Sequence, residues 1–135
     1  MNSKDLVLRG FSEPVDFVEG KNNEVPAKTG VYVIIRKDKQ INYRTGQSDI
    51  VKIGKCEYEK GFFRAWHEYF HPGPTQDTNI RLKEKFLAYP HAFSWKEIPK
   101  GRVGTMEKVL FAEFVRAHGQ LPAYNLVHKR TGPIP

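Results

Sequence analysis

The chain holds one cysteine, Cys56, in 135 residues. A single thiol cannot close an internal disulfide, and without a Cys-x-x-Cys pair it excludes the usual cysteine-based structural zinc site. Cys56 therefore reads as a small, half-buried residue. Long apolar runs are also missing, since no stretch approaches the roughly 20 residues a membrane helix needs. The first residues, Met1-Asn2-Ser3-Lys4-Asp5, lack the basic start and apolar stretch of a secretion signal. We therefore expect an intracellular, cytoplasmic protein with no membrane partner. No internal repeat or low-complexity segment is apparent. Acid is scarce relative to base: 22 Lys and Arg stand against 15 Asp and Glu, for a formal charge of +7. That excess suits a polyanionic partner without proving one.

What remains is an ordinary globular composition, 39% hydrophobic and 27% charged, in a length that fits one compact domain. Residues 1–27 read as an N-terminal extension packed on that domain, 28–126 as the domain itself and 127–135 as a C-terminal tail. Gly30-Val31-Tyr32-Val33-Ile34-Ile35 and Ile50-Val51-Lys52-Ile53-Gly54 are rich in β-branched and aromatic residues, and predict two antiparallel strands joined by a charged, elaborated hairpin. From Glu59 to Phe70, the residues Phe62, Phe63, Trp66, Tyr69 and Phe70 recur at helical spacing until Pro72. A second helix, capped by Asp77, carries Ile80, Leu82, Phe86 and Leu87. Phe93–Ile98 predicts a third strand, and Thr105 is placed to cap a last helix that Gly119 stops. The expected fold is α/β of the α+β kind, with a small three-stranded antiparallel sheet flanked by helices.

Several polar residues punctuate this pattern in a telling order: Gly30-Val31-Tyr32, Lys52-Ile53-Gly54, Arg64 with His67, Glu113, and Asn125 in Pro122-Ala123-Tyr124-Asn125. The set resembles the GIY-YIG nuclease family over about residues 28 to 126, in a variant with Lys-Ile-Gly where the second motif usually has Tyr-Ile-Gly. The interval from Tyr32 to Lys52 exceeds the family's usual one, and the basic hairpin connection absorbs the excess. The resemblance implies a metal-dependent endonuclease that hydrolyses phosphodiester bonds, most readily in DNA, with Mg²⁺ or Mn²⁺. In it Tyr32 is the general base or water-positioning phenol, Arg64 and His67 are the phosphate-side groups, Glu113 is the metal ligand and Asn125 a support. Such chemistry needs activated water, stabilised phosphate charge and help for the leaving oxygen. Lys52 has a physical rationale as well, because an ammonium beside a phenol favours phenolate.

Within the last helix Glu113 sits in Val109-Leu110-Phe111-Ala112-Glu113-Phe114-Val115, and a carboxylate among apolar residues is costly unless paired or metal-bound. The competing acid, Glu107, falls at the second helical position, where the helix dipole explains it. Arg36, Lys37, Lys39, Arg44, Lys55, Lys129 and Arg130 are the candidate nucleic-acid contacts. Selectivity in so small an enzyme would call for its loops, a homodimer or a partner. Two other readings stand beside this one: a non-catalytic nucleic-acid-binding module of the same fold, and a zinc metalloprotease. The last rests on His67-Glu68-Tyr69-Phe70-His71, which spells H-E-x-x-H. It still needs a third ligand, for which Glu97 or Glu107 could be invoked, and Pro72 disfavours helical geometry at His71.

Overall fold

A computed structural model describes residues 1–129. Helix α1 (Ser3–Val7) leads into the short strand β1 (Val15–Asp16), followed by β2 (Gly30–Arg36), β3 (Ile41–Asn42), β4 (Gln47–Ser48) and β5 (Ile50–Cys56). Helices α2 (Gly61–Phe70) and α3 (Asp77–Ala88), strand β6 (His91–Glu97) and helix α4 (Val103–His118) complete the chain, apart from 3-10 turns at Asn22–Glu24, Lys100–Arg102 and Ala123–Lys129. The main sheet is antiparallel and runs β1-β6-β2-β5. Three long strands were expected; the fourth is β1, which adds to the free side of β6 through Val15 opposite Phe93. The charged connection between β2 and β5 folds its own hairpin, β3 with β4.

Strict alternation along β2 sorts its side chains onto two faces. Register places Tyr32 beside Gly54 and Trp95, and Ile34 beside Lys52 and Phe93. On that face the buried side of α2 supplies Phe62, Trp66, Tyr69 and Phe70. Tyr32 stacks on Phe93 at 4.9 Å between centroids, and Phe17, from the N-terminal segment, packs edge-on against Trp66 at 4.8 Å. Val31, Val33 and Ile53 line the other face, where α4 packs on β5 and β2 and buries Leu110 and Phe114. Leu6, Phe11, Phe17 and Val25 are all buried in this core, so residues 1–27 are built into the domain's packing.

Helix ends depart from expectation in two places. Asp77 is the first residue of α3, with Gln76 at the cap. Helix α4 starts at Val103, so Thr105 lies inside it and Glu107 falls in its second turn. The dipole, which acts within the first turn, no longer explains that carboxylate. Gly119 ends the helix as expected, at a left-handed φ of 73°.

Candidate active site

Gly54 shows why the second motif needs a glycine. The Tyr32 ring lies over it, so a Cβ at Gly54 would come within 2.2 Å of Tyr32 Cζ. The Tyr32 hydroxyl is 2.7 Å from that of Tyr69, and both rings are buried. Burial first, and then the neighbouring Tyr69, push the Tyr32 phenol well above its ordinary value. Lys52 shares this face of the sheet by register, but is absent from the groups that perturb Tyr32. Phenolate formation at Tyr32, expected from the Lys52 pairing, is therefore disfavoured by the site's own dielectric.

Lys52 is half-buried on the edge strand, and burial lowers its ammonium to about 8, opposed by the charge of Glu107. Glu107, also half-buried, is held up by burial, while Lys55 pulls it down, Glu57 pushes it up and Lys52 pulls it down. The first turns of α4 thus lie beside β5; a methyl built on Gly104 would sit 3.6 Å from Glu57 Oε1 and 3.9 Å from Lys55 Nζ. Among the described residues Glu107 and Lys52 have neither a hydrogen bond nor an ion pair of their own. Lys55, by contrast, pairs with Glu57 at 3.1 Å.

Glu113 lies elsewhere. Arg9 grips both of its oxygens, at 2.5 and 2.8 Å, and holds the carboxyl below its usual range. Lys96, on the Val31 face of the sheet, reaches the Arg9 carbonyl at 2.8 Å, which fixes this pair on the side away from Tyr32. Arg9 thus engages both Glu113 oxygens in an ion pair, so a metal expected at Glu113 would have to compete with the guanidinium for them. The two glutamates are six positions apart, which turns them about 120° apart around the helix axis.

Arg64 projects from α2 over the Tyr58 ring, 4.7 Å from its centroid, and its Nε is 2.9 Å from Glu68 Oε1. The pair is exposed enough to leave guanidinium donors facing solvent. Together with Glu59, Lys60, Phe63 and His67, Arg64 lines an open cleft of about 440 Å³. The rings of His67 and His71 stack at 4.5 Å, but His71 caps the helix in a non-helical conformation and faces Glu19 at 3.4 Å. Glu68 is held by Arg64 and Gln76, and no third metal-ligating side chain joins this group among the described residues. The H-E-x-x-H reading therefore finds no three-ligand cluster among the described residues.

Asn125 acts on backbone. Its Oδ1 accepts from Ile53 N–H and its Nδ2 donates to Ile53 C=O, both at 2.9 Å, so one carboxamide closes the open edge of β5 like a short added strand. The basic contacts also sort themselves. Arg36 is a correction: its side chain is 2% exposed, doubly bonded to Asp38 at 2.8 and 2.9 Å and stacked on Tyr89. Asp38 drops to about 2 as a result. Lys37 is paired with Asp16, while Lys39 and Arg44 stand exposed. Lys129 ends the last 3-10 turn, and Arg130 lies outside the described residues. Sequence reading missed the open state of Glu107; its signal would have been a helix start three residues earlier. Comparisons with protein-family models, curated proteins and solved structures find no match for this chain.

Proposed function

We propose that this chain is a metal-dependent phosphodiester hydrolase acting on nucleic acid, with Glu107 in place of Glu113 as its acid. The observation that carries the reading is two half-buried opposite charges within electrostatic reach of each other and with no contact partner of their own among the described residues: Lys52, on β5 two positions before Gly54, and Glu107, in the second turn of α4. A charge half removed from water without a partner is costly. Such a cost is retained most readily where a ligand completes the site.

Glu107 fits Mg²⁺ or Mn²⁺, because such ions keep several waters and need only one or two carboxylates plus substrate phosphate oxygens. When bound, the ion would neutralise phosphate charge and acidify a water. The chain's own residues do the rest. Arg64, braced by Glu68, presents its remaining N–H groups to a phosphate, and the Lys52 ammonium adds charge stabilisation. Tyr32 is a positioning residue here: locked by Tyr69 and stacked on Phe93, it shapes the floor over Gly54. Hydrolysis forms a bond from the water oxygen to phosphorus and breaks the bond to the leaving sugar oxygen, which departs with a proton.

One observation favours the second reading, a binding module without chemistry: the Tyr32 phenol is sealed from solvent. Labelled single- and double-stranded DNA and RNA, incubated with Mg²⁺, Mn²⁺ or EDTA, separate the two. Metal-dependent cutting that disappears in Arg64→Ala and Glu107→Gln supports the hydrolase. Intact strands under every condition, with binding that persists in EDTA, would leave the module.

A further inference from the structure

The sheet end at which β2 begins gathers cations from three separate segments. Gly30 pairs with Cys56 on one side and Glu97 on the other. Next to it the Lys28 carbonyl accepts from Phe62 N–H at 3.1 Å, which joins Lys28 to the start of α2 and so to Lys60. Thr29 bonds Ile98 through Oγ1 at 2.8 Å and accepts from its N–H at 3.0 Å. Pro99 and the turn Lys100–Arg102 follow directly, with Arg102 N–H on the Pro99 carbonyl at 2.8 Å. Lys28, Lys60, Lys100 and Arg102 are all exposed, and none forms an ion pair among the described residues. Glu97 and Glu59 are the exposed carboxylates beside them.

Lys60 adds an independent observation. It is the one non-glycine residue with positive φ among the described residues, at 66°, and its side chain makes no capping bond to the helix it precedes. Left-handed backbone is costly for a lysine, and glycine escapes most of that cost. The fold gains nothing visible from a lysine there, so its charge is the remaining reason for it.

We propose that this rim, Lys28, Lys60, Lys100 and Arg102, holds the phosphate backbone of a nucleic-acid duplex leading into the Arg64 cleft. The inference rests on the nucleic-acid reading above but not on catalysis. Duplex is chosen over single strand because single-strand grooves rely on free aromatic faces for base stacking. Here the exposed tyrosine and histidine faces are occupied, which leaves Phe63, half-exposed in the Arg64 cleft, as the aromatic face there without a ring or guanidinium on it among the described residues. Both exposed tyrosines among the described residues carry a guanidinium, Arg64 on Tyr58 and Arg36 on Tyr89, and His67 and His71 stack on each other. Phosphate contacts position a duplex without reading its sequence, so the affinity should be salt-dependent and tolerant of sequence.

Fluorescence anisotropy in EDTA, with labelled duplex and single-stranded DNA over a KCl series, tests this on the full chain. Wild type should prefer duplex. Lys28→Gln with Lys100→Gln should weaken duplex binding about tenfold and lower the salt slope by about two, near one for each phosphate no longer neutralised. Lys4→Gln, an exposed charge on α1 at the other end of β2, where Ser3 bonds Asp49, should leave binding unchanged. Lys60→Gly should raise the thermal midpoint and yet weaken binding severalfold, opposite signs that a folding defect cannot produce. Wild-type-like binding by the double variant, or preference for single strands with loss on Phe63→Ala, overturns the rim while sparing the nucleic-acid reading. Failure of wild type to bind any nucleic acid sinks both.

Discussion

Helix α4 carries two glutamates under opposite electrostatic regimes. At its third turn Glu113 is doubly held by Arg9 and its carboxyl is lowered. At its second turn Glu107 has cations within electrostatic reach but no partner in contact, and burial raises it. A satisfied carboxylate contributes to the fold and has little left to offer a ligand; an unsatisfied one costs the fold and is available. The difference shows that burial among apolar residues is a poor sign of function until the partners on every side are known.

Neutralising each acid without changing its shape sets the two regimes against each other. Glu107→Gln should lower metal-dependent cleavage by about 100-fold or more, on the scale of losing one preorganised electrostatic group. Glu113→Gln should leave cleavage within a few-fold of wild type. Single-turnover rates at saturating Mg²⁺ check both. The reverse ranking, with Glu113→Gln inactive and Glu107→Gln active, would return the acid to the third turn of the helix and discard the site drawn around Lys52.

How far this could be seen in the sequence depends on the range of the interaction. The three long strands and helices α2, α3 and α4 were legible because each carries its own apolar period, whereas the five-residue α1 is too short to show one; Gly119 announced a helix end by the backbone angle it permits. Strand β1 has two residues and no period; only its pairing with β6 makes it a strand. The choice between the two glutamates was illegible for the same reason. Arg9 is 104 positions from Glu113, and no local pattern brings them together. Arg36 misled in another way. A charged residue at a strand end looks solvated, but Asp38, Tyr89 and Tyr124 enclose it. His91 belongs to the same enclosure, bonded to the Tyr124 hydroxyl at 2.8 Å, and burial lowers it to about 4.

Lys52 supplies the next test, because its value near 8 falls within an accessible range. If the ammonium stabilises phosphate charge, cleavage should fall as pH rises through about 8, up to tenfold per unit, and Lys52→Arg should move that limb upward. A rate that climbs through 8 would make Lys52 a proton acceptor instead. Stability should respond with the opposite slope. The folded chain releases this proton near 8, whereas the unfolded chain keeps it to about 10.5. Between those values the unfolded state binds more protons, so stability increases with pH; below 8 the cost of the buried charge is present in full. Thermal midpoints measured across that window should rise in wild type relative to Lys52→Met.

The weakest response belongs to the satisfied acid. Arg9 and Glu113 are 43% and 34% exposed, so solvent screens them and the pair should contribute no more than about 1 kcal/mol. Arg9→Ala and Glu113→Ala should each lower stability slightly, and the double variant should cost less than their sum, the difference being the pair's own coupling. Because contact with Arg9 lowers the Glu113 carboxyl, that coupling is complete above the usual carboxylate range and fades as pH falls through the lowered value. Denaturant midpoints for the four proteins near neutral and at acidic pH measure it. Coupling that persists at acid pH, or additive losses at neutral pH, would mean that Arg9 does not satisfy Glu113 in solution, and the contrast between the two turns of α4 would lose its electrostatic basis.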